Sequence, residues 1–149
     1  MVEQDTIKLL RECDAGIKMG VSAIDEVMSY AKSEDLRKTL QHSMQENEIL
    51  KNDLQMALAD YHDDGKEPNP IAKSMSWVKT NMKLKMNESD STIAGLIMDG
   101  CNMGIKSINE YLNQYQAADE RSKNIAKRLI STEEKLSFDI DSFYKKSGL

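Results

Sequence analysis

The side chains in this sequence that could ligate a metal ion or carry a proton are two histidines (His42 and His62), two cysteines (Cys13 and Cys101) and a set of carboxylates. A carboxylate-bridged di-metal centre in a helical protein needs several anionic oxygens and imidazole at one level, and Glu-x-x-His pairs on facing helices supply them. The residues three positions before His42 and His62 are Thr39 and Ala59, so that pair does not occur. Asp14 and Asp99 stand eighty-five positions apart, as do Glu48 and Glu133, and the shared offset makes an all-carboxylate cluster the alternative metal site. Without histidine such a cluster suits a hard cation better than iron. Burying four carboxylates with no cation would cost several kcal/mol each. The preferred reading therefore leaves all four as solvated charges and assigns neither metal nor cofactor.

Catalytic chemistry is not visible in the other polar residues. His42 and Glu46, one helical turn apart, are expected to form an exposed pair, and His62 is expected near the last carbonyls of a helix. Neither has a nucleophile or a second base close by in sequence. The stretch "EEKLSFDID" reads as a charged flank around buried Leu136 and Ile140. Cys13 and Cys101 belong to no CxxC pair and are expected to be reduced thiols packed within helices.

The elements that must position these residues are set by hydrophobic periodicity. Ile7, Leu10, Ile17, Val21, Ile24 and Met28 recur at three- and four-residue steps from about Thr6, with Asp14 interrupting, and predict a helix ending near Tyr30. After a short link, Ser33 is the predicted N-cap of a second helix carrying Leu36, Leu40, Leu50, Leu54, Leu58 and Tyr61, which "HDDGKEPNP" stops. The plan then recurs. "NESDST" leads into a third helix with Ala94, Met98, Cys101, Ile105, Ile108 and Leu112, and a fourth runs from about Asp119 with Ile125, Leu129, Leu136, Ile140 and Phe143 inward. A hairpin over 6–62 and another over 91–146 are thus joined by a connection over 63–90, all within one domain, 1–149. That connection is too long for a structureless loop, and Ile71, Met75, Val78 and Met82 after Pro70 predict a short crossover helix within it.

Gly16 to Glu26 reads "GIKMGVSAIDE" and Gly100 to Glu110 reads "GCNMGIKSINE", most of one phrase returned eighty-four positions later. Gly16 and Gly20, like Gly100 and Gly104, stand one turn apart inside helices, where each costs about 1 kcal/mol relative to alanine. Close approach of the first and third helices is the preferred compensation, and a smooth groove for a ligand is the alternative. The chain is 40% hydrophobic and 30% charged with two prolines, which predicts an all-α domain. Its net charge of −5 is interspersed and argues against a nucleic-acid partner. No stretch is long and apolar enough for a transmembrane segment, "MVEQDTIKLL" has none of the marks of a signal peptide, and the thiols fit a reducing compartment, so a cytoplasmic location is expected. Lys73, Lys79, Lys83 and Lys85 accompany Trp77 in the crossover. Packing across the bundle is the preferred reading, with a homo-oligomer, a protein partner or a membrane surface reached through the Trp77 region as the alternatives.

The two similar hairpins, the glycine-containing turns of the first and third helices, and the connection "EPNPIAKSMSWVKTNMKL" resemble the ferritin-like superfamily. More narrowly, they are similar to a bacterial branch of paired-hairpin bundles related to rubrerythrin. The resemblance implies a four-helix bundle of two antiparallel hairpins with one long crossover. On the assigned stripes the mid-bundle level holds Ile17, Asn47, Cys101 and Thr132, so a member like this one is not expected to hold the family's di-iron centre. The function so implied is a non-catalytic structural, interaction or stress-related role. A metal-binding or oxidoreductase bundle using the carboxylate cluster is one alternative, and a peripheral membrane or peptide-binding module acting through the crossover helix is another.

Overall fold

The computed structural model describes residues 2–67 and 89–144 of the chain. Among them are four helices, α1 (Val2–Met28), α2 (Glu34–Asp60), α3 (Ser89–Gln114) and α4 (Glu120–Ile140), a closing 3-10 turn over Asp141–Phe143, and no strand. The described residues form an all-helical bundle. α1 begins four residues ahead of the predicted Thr6, with Glu3 and Asp5 in its first turn where carboxylates suit the helix dipole. The expected crossover helix, with Trp77 and its four lysines, lies outside the described residues.

Helix directions follow from the two apolar clusters that make up the core. One unites Leu9 and Leu10 of α1 with Leu54 and Leu58 of α2, Ile108 of α3 and Ile125 of α4. The other unites Ile24 and Val27 with Leu36 and Leu40, Ile93 and Ala94, and Leu136 and Ile140. The start of α1 therefore lies with the ends of α2 and α3 and the start of α4. α1 runs antiparallel to α2 and α3, while α2 and α3 run parallel, so the chain leaves α2 at one end of the bundle and enters α3 at the other. The predicted leucines of α2 are all buried. Of the stripe predicted for α1, Leu10, Ile17 and Ile24 are buried and Ile7, Val21 and Met28 half-buried, while Leu9, Cys13 and Val27 are buried in addition, because α1 packs against α2, α3 and α4 and a narrow seam cannot serve three neighbours.

Each hairpin turn is held by the first turn of a helix from the other hairpin. Asp90 of α3 accepts hydrogen bonds from the backbone N–H groups of Lys32 (2.7 Å) and Ser33 (3.0 Å), between α1 and α2. In α1, Asp5 accepts from the Ala117 N–H at 3.0 Å and Thr6 from the Asp119 N–H at 2.8 Å, between α3 and α4. The turn residues then cap their own helices: Ser33 accepts from Leu36 N–H (3.3 Å) and Asp119 from Ser122 N–H (2.8 Å). Replacing Asp90 by alanine removes two charge-assisted bonds and is expected to destabilise the protein by about 1–2 kcal/mol in urea titration. A loss within error would show that Lys32 and Ser33 are equally well satisfied by water.

His62 stands at the last carbonyls of α2, as expected, and meets them through its backbone. His62 adopts φ 55°, its N–H donates to Ala59 O and the Asp63 N–H to Leu58 O, so its backbone takes the left-handed position that ends a helix and is more often filled by glycine. The expected His42–Glu46 pair forms on the exposed side of α2 at 3.1 Å, and Lys135 of α4 joins it, its Nζ 3.2 Å from Glu46.

The two apolar clusters are separated at mid-height by a polar level. Ser43 and Asn47 of α2 are buried there, with Asn47 Nδ2 donating to Ser43 O at 2.8 Å. Thr132 of α4 turns its hydroxyl back to Arg128 O at 2.9 Å. Ile17, of the one apolar cluster, and Cys101, of the other, border this level, both buried.

Candidate functional site

Beside this polar level a cavity of about 520 Å³ opens between α1 and α3, within the range typical of small-molecule pockets. Ala15, Gly16, Met19, Gly20 and Ala23 form its α1 wall, and Ile97, Gly100, Cys101, Gly104 and Ile108 much of its α3 wall. Leu129, Thr132, Glu133 and Leu136 of α4 form the floor with Ser43 and Asn47 of α2. Lys66 and Glu67, in the segment after α2, border one end.

All four repeated glycines line this space. A Cβ at Gly16 would make ordinary contact with Leu129 at 3.8 Å and Ile108 at 4.0 Å. At Gly20 or Gly100 it would meet nothing within 4 Å among the described residues. A Cβ at Gly104 would run into the Glu133 carboxylate. The preferred expectation of glycine faces pressed together is therefore not what these positions show. Two of the four look onto open space, and a third makes room for an acidic side chain from α4.

Glu133 is the distinctive group of the site. Burial pushes its carboxyl up to about 8, because ionisation in an apolar surrounding forfeits hydration. Its Oε2 is buried and has no hydrogen-bond partner among the described residues, an uncommon condition for a polar atom in a folded protein. Burial, and then the Glu133 charge, push the Cys101 thiol to about 12; burial, then Glu12 and Asp14, do the same to Cys13. Both thiols are unpaired and protonated at neutral pH, which removes them as nucleophiles.

The four carboxylates of the alternative metal site are not brought together. Among the described residues no three His, Cys, Asp or Glu side chains are grouped as a metal ion would require. Glu48 and Asp99 are exposed, whereas Asp14 and Glu133 turn inward. Asp14, fully buried, is occupied structurally: Oδ1 accepts from Gln55 Nε2 at 2.9 Å, and Oδ2 from the Lys66 N–H and from Lys18 Nζ, both at 2.9 Å. Burial shows why the eighty-five-residue offset misleads. Buried positions of α1 recur in α3 after eighty-four residues (Leu9 and Ile93, Cys13 and Ile97, Ile17 and Cys101), and those of α2 recur in α4 after eighty-six (Leu36 and Ser122, Leu50 and Leu136, Leu54 and Ile140). The counterpart of Asp14 is thus Met98, and that of Glu133 is Asn47. One residue turns a helix by roughly 100°, enough to carry Glu48 and Asp99 to the surface.

Lys66 anchors the open end. Besides its backbone bond to Asp14, its Nζ pairs with Glu12, and Lys18 pairs with Glu67 at 3.1 Å. The "DDGK" stretch was the sequence signal for this turn. Gly65 sits at φ +92°, where a side chain would strike the Asp14 carboxylate.

Among the described residues, fold and site together define an all-α bundle with a mainly apolar pocket between α1 and α3, lined by one carboxylate, Glu133, that has no positive partner there. No protein-family model matches the chain, and no curated protein or solved structure is significantly similar to it. No described helix is long and apolar enough to cross a membrane.

Proposed function

We propose that this protein is a ferritin-like bundle of two related hairpins that acts by binding rather than catalysis, holding a small apolar ligand in the cavity between α1 and α3. The reciprocal turn anchors and the near-constant spacing of buried positions support the doubled hairpin. The parallel course of α2 and α3 supports the one-crossover order of the ferritin-like class. At the level where such bundles place their metals stand Ile17, Asn47, Cys101 and Thr132, in keeping with a relative of rubrerythrin whose di-iron ligands have been replaced.

The observation that carries the binding reading is the cavity itself, with Gly20 and Gly100 on its walls. Alanine at either position would avoid the helix-propensity cost of about 1 kcal/mol and would meet no described atom within 4 Å. Glycine there preserves space. A neutral fluorescent probe, aminoanthracene, is expected to bind saturably with a blue shift, and the double substitution Gly20→Leu/Gly100→Leu to weaken it by roughly tenfold or more by filling the volume. Far-UV circular dichroism checks that the helices persist. Unaltered affinity in a correctly helical double variant would exclude this cavity as the binding site.

A further inference from the structure

We infer that the ligand of this cavity is an apolar amine, seated with its protonated nitrogen against the cavity-facing side of the Glu133 carboxylate; this rests on the binding reading above. The chemistry of the walls defines the body of such a molecule. Met19, Ile97, Ile108, Leu129 and Leu136 surround most of the space, and they reward contact area rather than hydrogen bonds. The floor defines its head group. Oε2 of Glu133 has no donor among the described residues and is closed to water, so a ligand N–H meets the carboxylate from the side that lines the cavity.

A cation satisfies this site better than the other donors. Lys66 is the basic side chain among the described lining residues, and it is tied to Glu12 at the rim. Among the described residues the Glu133 charge is therefore uncompensated inside, where a pair separated from water attracts more strongly than at the surface. A metal ion would need more ligands than one carboxylate, and no described group of three supplies them. Gly104 holds the geometry: with no side chain of its own, it lets the carboxylate lie across the α3 backbone at the cavity floor.

Binding should then be linked to proton release. The titratable groups lining the same space are Glu12 on α1, Cys101 and Tyr111 on α3, and Lys66 and Glu67 after α2. α2 presents Ser43 and Asn47, which do not titrate in this range. Cys101 is the one whose titration registers the Glu133 charge, and with its thiol near 12 it stays neutral. Glu133, raised to about 8, is mostly protonated at neutral pH in the empty protein. An ammonium must displace that proton, so its affinity rises roughly tenfold per pH unit from about pH 6 to 7.5 and levels off above 8.

The test compares phenylbutylamine with phenylbutanol, equal in shape but cationic and neutral, as competitors of aminoanthracene and by calorimetry in buffers of different ionisation enthalpy. The expected result is tighter binding of the amine, the pH dependence just given, and release of close to one proton per amine near pH 7. Glu133→Gln should abolish the preference for the amine and its pH dependence while leaving the alcohol unchanged. Gly104→Ala, which drives its Cβ into the carboxylate, should reduce the preference by a different route. Equal binding of amine and alcohol, or an amine affinity flat in pH, overturns the amine assignment while the dye result still stands. Failure of dye, amine and alcohol alike overturns the cavity reading beneath it.

Discussion

Between about pH 4 and pH 9 the stability of the Glu133→Gln variant is expected to rise relative to that of the natural protein by up to about 5 kcal/mol. Burial holds the carboxyl of folded Glu133 near 8, against an ordinary value of 4.5. Below the lower value both the folded and the unfolded chain carry the proton, and the ionisation contributes nothing to the difference. As pH rises the unfolded chain ionises first, while the folded protein keeps its proton and loses stability at about 1.4 kcal/mol per unit. The loss ends once pH passes the folded value. Glutamine fills the same volume without a charge, so its own buried amide adds only a constant, and the change of the difference with pH isolates the ionisation. Chemical denaturation of both proteins at several pH values measures it. Parallel stability curves would mean that water reaches Oε2 freely, and the cavity would then be a wet cleft instead of an apolar pocket.

How much of this could be read beforehand depended on how each helix is surrounded. α2 offers a single leucine face, and its predicted set from Leu36 to Leu58, with Ser43 and Asn47 between, is buried throughout, with only Ala57 added to it. α3 buries Ile93 and Ile97 beside the expected Ala94, Cys101 and Ile108, since more than one neighbouring helix draws on its apolar residues. The cavity left little trace in the pattern. Glycines one turn apart signal that volume has been withheld, but the same spacing serves a tight helix contact and an empty groove, and only the neighbouring side chains separate the two. Glu133 was reachable through the repeat, yet one common offset was applied where α1/α3 and α2/α4 differ by two residues. That small discrepancy pairs the half-buried Glu133 with exposed Glu48 and hides buried Asn47 as its counterpart.

Asp14 shows what the remaining inward carboxylate does, and its replacement by alanine is expected to cost about 3–5 kcal/mol, the range for removing one partner of a buried charged network. The side chain is wholly buried and joins three pieces of structure: Gln55 of α2, the Lys66 N–H beyond the end of α2, and Lys18 one turn along α1. Alanine would leave a half-buried amide and a backbone donor without their acceptor, would leave the Lys18 ammonium to Glu67 alone among the described carboxylates, and would empty the volume that Gly65 leaves for the carboxylate. In an Asp14→Asn variant the new side chain can still accept from Gln55 through its carbonyl oxygen, but it places an amide N–H against the Lys66 N–H and the Lys18 ammonium, so an intermediate loss is expected. A double-mutant cycle with Gln55→Ala assigns the α1–α2 share, at about 1 kcal/mol of coupling. Because Lys66 and Glu67 border the cavity, the same anchor fixes one end of its mouth, and Asp14→Ala should also raise proteolytic susceptibility after α2. Urea titration decides the main point: a loss below about 1 kcal/mol would mean that water replaces all three bonds, and Asp14 would no longer be the group that ties this turn to the bundle.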